Sequence, residues 1–340
     1  MKNVMWLTLP ALVCFAVSGL AKDKPKSDRK NKPPSKVTPM PTPEIVPPGM
    51  DVIKIRTSSS DNPEVPFYVR PPSGYQPGGD AAGMKHRLLL LFPFVPETGL
   101  RAIQRNETLV KLADARGWFV ASPTLVVDFK KDAQDRKKAF YYPESWSGKA
   151  VVDAVEEIAR KYPVDGRRLF VQGLSGGAQI AHRLGLWCPE RITAVVVNAS
   201  GWYEDPNPKA SQVAWVITVG EADSRLKDTV AFAEKLKACG ALPLLKTYIG
   251  RIHEDIEEAN QIGAAFLFHV DELTKKDLGQ PAGAPQVSAY NRTDHHAYVG
   301  DGRDYLYFAN APQKQATLPP EARFFLPDDV VAECWGKKGH

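Results

Sequence analysis

Cysteine is scarce: the chain has four in 340 residues, at positions 14, 188, 239 and 334. Cys14 lies within the first 21 residues, which leaves an odd number, and Cys188, Cys239 and Cys334 show no paired metal-ligand spacing. These three read either as small buried hydrophobes or as one disulfide of an oxidising compartment with a thiol left over. Charge of one sign is also missing from most of the length. The formal net charge is +5, but residues 22–36 alone hold seven Lys or Arg against Asp23 and Asp28. Lys2 and Glu44 cancel, so residues 51–340 are neutral. A neutral body has no electrostatic footprint for a phosphate backbone, and nucleic acid is excluded as the main partner. No internal repeat is visible. What remains is the mixture of a soluble globular protein, 43% apolar and 24% charged, long enough for one core of α/β type.

The first 21 residues read as an export signal. Lys2 is a short positive start, an uncharged stretch covers residues 3–21, and Gly19 and Ala21 are small residues suited to cleavage. The expected location is therefore periplasmic or extracellular. The alternative is a tether through residues 3–21, which approach the ~20 apolar residues of a membrane span, with Lys22, Lys24 and Lys26 as an unusual translocated flank. Contact with a membrane follows only if the signal stays uncleaved. Val13 before Cys14 argues against a lipoprotein site. Residues 22–50 are Lys-rich, then Pro-rich up to Pro47-Pro48-Gly49, and read as a disordered or polyproline-like linker.

From Asp51 the pattern changes. Strands are expected over 52–55 and 65–69, and the continuous apolar run 88–92 suits a strand buried on both faces. A helix over 102–116 and a strand over 118–121 follow. A helix over 151–162 carries Val152, Val155, Ile158 and Ala159 on one face. Then come a strand at 168–172, a helix at 177–186 and a strand at 193–197. Strands at 213–219 and 244–249, with helices at 226–238 and 254–268, complete the alternation. That alternation predicts a mostly parallel sheet covered on both faces, in a catalytic domain spanning 51–270. Residues 271–340 read as an irregular extension packed on it.

The strongest local signal is Gly173-Leu174-Ser175-Gly176-Gly177, between the apolar run Leu169-Phe170-Val171 and a helical stretch. Alone, G-x-S-x-G is weak, since at glycine ~7% of residues about one chain of this length in ten shows it by chance. In a strand-turn-helix setting it suits a nucleophile elbow, where small residues two before and two after the serine avoid clashes in a tight turn. A nucleophilic serine needs a base, and the base an orienting acid, both at the ends of later strands in the order Ser, acid, His. Val219-Gly220-Glu221-Ala222-Asp223 follows one expected strand and Gly250-Arg251-Ile252-His253 the next. Asp223 and His253 are therefore the candidates, with Glu221 as the alternative acid and Glu204 and Asp205 as weaker ones. His182, on the helix behind the serine, reads as structural; His269, His295 and His296 fall later in the chain. For the oxyanion, one donor is the amide of Gly176. The second comes from Pro93-Phe94-Val95-Pro96, where the prolines have no N–H, and Phe94 is preferred to Val95. Trp146, Trp202 and Tyr203 fall near expected strand ends or loops. They are candidates for an acyl or aryl pocket, with ordinary packing as the other reading.

Over residues 60–270 the chain resembles the α/β-hydrolase superfamily, and within it the secreted esterases that include feruloyl esterases and polyhydroxybutyrate depolymerases. The resemblance rests on Gly173-Leu174-Ser175-Gly176-Gly177, Val219-Gly220-Glu221-Ala222-Asp223 and Gly250-Arg251-Ile252-His253-Glu254. It implies a mostly parallel twisted sheet of about eight strands, and Ser175, Asp223 and His253 as nucleophile, acid and base. The resulting expectation is cleavage of carboxylic esters, acyl or feruloyl-type and in some cases on polysaccharides, through an acyl-enzyme that needs no cofactor and no metal. The family's oxyanion loop often begins His-Gly, whereas this chain has Phe92-Pro93. A serine peptidase and a catalytically silent binding protein of the same fold are the competing readings.

Overall fold

Leu88–Phe92 is five apolar residues in a row, and all five are buried as strand β3. The same holds for β4 (Phe119–Pro123), β5 (Leu169–Leu174), β6 (Ile192–Asn198) and β7 (Ala214–Gly220). Uniform burial is what a strand with helices on both faces requires. With β1 (Asp51–Arg56), β2 (Glu64–Arg70) and β8 (Leu244–Tyr248) they form an eight-stranded sheet in the order β1-β2-β4-β3-β5-β6-β7-β8. Strand β2 runs antiparallel to β1 and β4, and β3 to β8 are parallel. The computed structural model describes residues 44–60, 62–79, 84–125, 144–278 and 290–339. The export signal and most of the expected linker lie outside these. Among the described residues no helix is long and apolar enough to cross a membrane.

Helices α1 (Gly99–Arg105), α2 (Glu107–Ala115), α3 (Trp146–Lys161), α4 (Gly176–Trp187) and α5 (Leu226–Ala238) connect parallel strands, and α6 (Glu257–Thr274) follows β8. Two glycines show how α4 and α6 take opposite faces. A Cβ on Gly185 of α4 would sit 3.0 Å from Val195, and one on Gly263 of α6 would sit 2.9 Å from Val196. Neighbouring strand residues point to opposite sides, so the two helices sandwich β6. The helix expected over 102–116 is two helices. Asn106 breaks it, its side-chain amide donating to the Ala102 carbonyl at 2.8 Å, a local bond that competes with the helical ladder. Helix α3 starts at Trp146 rather than at 151.

The segment 271–340, expected to be irregular, carries a second sheet. Strands β9 (Tyr298–Asp301), β10 (Leu306–Ala309), β11 (Arg323–Leu326) and β12 (Lys337–Lys338) pair in the order β11-β9-β10-β12. Helices α7 (Pro312–Thr317) and α8 (Asp329–Trp335) link them. This layer covers β8, the edge strand. The Trp335 indole donates to the Leu245 carbonyl at 2.9 Å, and the Tyr305 hydroxyl accepts from the Thr247 N–H at 2.8 Å. Edge backbone groups left open invite pairing with other chains, and side chains close two of them here. Cys188, Cys239 and Cys334 are free thiols, Cys188 buried.

Candidate active site

The four loops that leave β3, β5, β7 and β8 lie at the carboxyl edge of the sheet, where open α/β sheets bind their ligands. Strand β5 is central, between β3 and β6, and Ser175 follows it directly as the cap of α4. Ser175 has φ 54° and ψ −113°, a conformation that side chains adopt at a cost of ~1–3 kcal/mol. Its N–H donates to the Asn198 carbonyl at the end of β6, at 3.0 Å. The glycines of the motif have a steric reason. A Cβ on Gly173 would lie 2.2 Å from the Gly177 carbonyl oxygen, and one on Gly177 2.2 Å from that of Phe92. Only hydrogen fits between these backbones.

His253 stands on the loop after β8. Its Nε2 is 2.9 Å from Ser175 Oγ, and its Nδ1 is 2.7 Å from Asp223 Oδ2. The Asp223 side chain is fully buried, and its other oxygen accepts from the Arg225 N–H at 3.0 Å and the Arg225 guanidinium at 3.3 Å. Burial pushes the Asp223 carboxyl up, but the Arg225 N–H and the His253 ring outweigh it and hold it below its ordinary value. The loops of β7 and β8 meet through Gly220, whose Cβ would fall 2.2 Å from the Arg251 carbonyl oxygen. The Ala222 N–H donates to that same oxygen at 2.8 Å.

The rival groups are engaged elsewhere. Glu221 is exposed and accepts from the Gly250 N–H at 3.1 Å. Glu204 pairs with Arg183 at 2.9 Å, and Asp205 pairs with Lys235. His182 is buried, its Nε2 accepting from the Glu204 N–H at 3.1 Å, so its Nδ1–H donates to the Ala178 carbonyl at 2.9 Å. Burial pushes its pKa down to about 3. His269 pairs with Asp328 at 2.6 Å, His296 is buried against Tyr290, and His295 borders Asp294. Gly176 opens α4, so its N–H belongs to the first turn, which has no partner inside the helix. Phe94 and Val95 lie half-buried on the loop after β3.

Of the three aromatic pocket candidates, Trp146 is buried at the start of α3. Tyr203 is stacked on Phe232 at 4.6 Å with its hydroxyl 3.1 Å from Thr229, and is a packing residue. Trp202 is 48% exposed, its ring 4.2 Å from the Arg183 guanidinium. Ile249 and Ile252, on the same loop just before His253, are 80% and 58% exposed. Sequence reasoning missed Asn198, which holds the serine backbone, and Arg225. The spacing Asp223-Ser224-Arg225 was the available signal for the latter, because an Asp commonly accepts from the N–H two residues on.

No family model matches the chain, and no curated protein matches it in sequence. Solved structures match it in fold. LpqC, a poly(3-hydroxybutyrate) depolymerase from Bordetella parapertussis, superposes with a TM-score of 0.51 at 16% identity, over 65% of this chain and 89% of that one. The chain has the α/β-hydrolase fold. Strand order, the antiparallel β2 and the serine after β5 are all features of that fold. A Bacteroides ovatus protein assigned as a dipeptidyl aminopeptidase IV shares the fold at TM-score 0.50 and 14% identity, over 66% of this chain and 35% of that one. The chain spans 55% of the length of a thermostable esterase it matches at TM-score 0.47 and 14% identity. At such identities the α/β-hydrolase fold is the shared property, and the chemistry rests on the residues of this chain.

Proposed function

We propose that this chain is a serine hydrolase of carboxylic esters, with Ser175 as nucleophile, His253 as general base and Asp223 as the carboxylate that orients it. One observation carries the reading: a single imidazole lies 2.9 Å from Ser175 Oγ and 2.7 Å from a buried carboxylate. As Oγ attacks the ester carbonyl, its proton passes to His253 Nε2, while Asp223 accepts from Nδ1–H and fixes the tautomer. The carbonyl oxygen becomes an oxyanion, with the amides of Gly176 and Phe94 as its donors. The bond to the alcohol then breaks, the imidazolium protonates the departing alkoxide, and an acyl-enzyme on Ser175 remains. Water, deprotonated by His253, releases the acid and restores the serine.

Exposed apolar surface at Ile249, Ile252 and Trp202 on this edge of the sheet favours small acyl or aryl esters, free or carbohydrate-linked. Residues 1–21 would direct export. The intact hydrogen-bonded order of the three side chains speaks against a silent binding protein. The test is covalent labelling by a fluorophosphonate with turnover of p-nitrophenyl acetate and of a peptide anilide. Wild type should label and cleave the ester, Ser175→Ala should do neither, and Asp223→Asn should keep the fold while kcat falls ~10⁴-fold. A folded wild type that neither labels nor turns over would overturn the proposal, and anilide cleavage without ester cleavage would move it to a peptidase.

A further inference from the structure

Arg105 ends α1, and its guanidinium faces two loops at once. It donates through Nε and Nη2 to both oxygens of Glu97, at 2.8 and 3.0 Å, and through Nη1 to Asp255. Glu97 lies on the loop after β3 and its side chain is 6% exposed. Its N–H donates to the Phe94 carbonyl at 2.7 Å, and the Arg105 guanidinium sits 5.4 Å from the Phe94 ring. Asp255 stands two residues after His253. The contacts continue inward: Asn260 donates to Asp255 at 3.0 Å and accepts from Asn198 at 3.2 Å and from Gln172 at 3.1 Å. Asn198 is the residue whose carbonyl holds the Ser175 N–H.

We propose that Arg105 is a positioning residue that locks the Phe94 loop to the His253 loop, so that oxyanion donor, base and nucleophile share one rigid frame. This rests on the reading of Ser175 and His253 as the reacting pair. A planar fork with a bidentate partner on one loop and a second carboxylate on the other fixes angle as well as distance, which a lysine cannot do. A donor or base that drifts by ~1 Å loses about a hundredfold in rate, and this pair stands on separate loops with no ladder bond between them.

The full chain is compared with Arg105→Lys, Asp255→Asn and the double variant, each counted by fluorophosphonate titration of Ser175. The expected result is a fall of ~10–100-fold in kcat per titrated site with KM unchanged, and a double variant no slower than the slower single one. Amide exchange should quicken in residues 93–98 and 251–256 while β5 and β6 keep their protection. Wild-type kcat in folded Arg105→Lys and Asp255→Asn, even with a lowered melting temperature, would overturn the clamp and leave the hydrolase reading standing. An inert, unlabelled wild type would overturn both.

Discussion

At Ser175 the chain holds a serine where glycine would sit more easily, because φ is positive and a β-carbon is disfavoured there. The strain puts Oγ at the apex of the turn, within reach of His253. Ser175→Gly is therefore expected to abolish ester turnover while raising the unfolding free energy by up to about 1 kcal/mol, read from urea melts. Two residues on, the balance reverses. Gly177→Ala drives a methyl group to 2.2 Å from the Phe92 carbonyl oxygen, and the obstacle is backbone that cannot rotate away. This variant is expected to lose ~1–3 kcal/mol in the same melts, together with its activity.

Among the elements, β8 depends most on its neighbours. It is an edge strand with three of its five residues only half-buried, and α8 supplies the cover. Trp335 is fully buried, bonds the Leu245 carbonyl, and packs its ring 5.0 Å from that of Tyr305. Trp335→Ala is expected to cost ~3–5 kcal/mol in thermal unfolding while leaving kcat per folded molecule near wild type. The main sheet was legible in the sequence because strands buried on both faces must be apolar throughout, as Leu88–Phe92 is. The second sheet was not. Its strands have two to four residues, too few for a period, and they turn at Tyr305 with φ +53°, a position that glycine would have advertised. The start of α3 at Trp146-Ser147-Gly148 was hidden by weak helix formers. Ser175, Asp223 and His253 stood out because each lies on the loop or turn that leaves a recognisable strand. Glu97, Arg105, Asp255 and Asn260 meet only through the folded topology, and their spacing along the chain carries no trace of it.

For the molecule as a whole, acid is the revealing perturbation. His182 sits neutral in the core, its pKa pushed down by burial to about 3 from an ordinary 6.5, and His296 is pushed down the same way to about 4. The unfolded chain takes up these protons below pH 6.5, and the folded chain does not until far lower. Stability present above pH 6.5 is therefore lost as the pH falls from there, towards 4 for His296 and towards 3 for His182, at ~1.4 kcal/mol per histidine for each pH unit. Urea midpoints at pH 7 and pH 5 should differ accordingly, and His182→Gln should narrow the gap. If the mutant shows the full wild-type gap, His182 is not its source.

The close backbone approaches at Gly173, Gly177 and Gly220 also mean that the shape of this edge is set by the fold before any reaction takes place. In a random single-substitution library sorted only for soluble expression of a fluorescent fusion, variants at these three positions should drop out, alanine included. Mapped onto the fold, those gaps would converge on the carboxyl edge of β5 and β7. A selection blind to substrate would thus guard the proposed site just as it guards the other close backbone approaches of the fold, at Gly99 and Gly336.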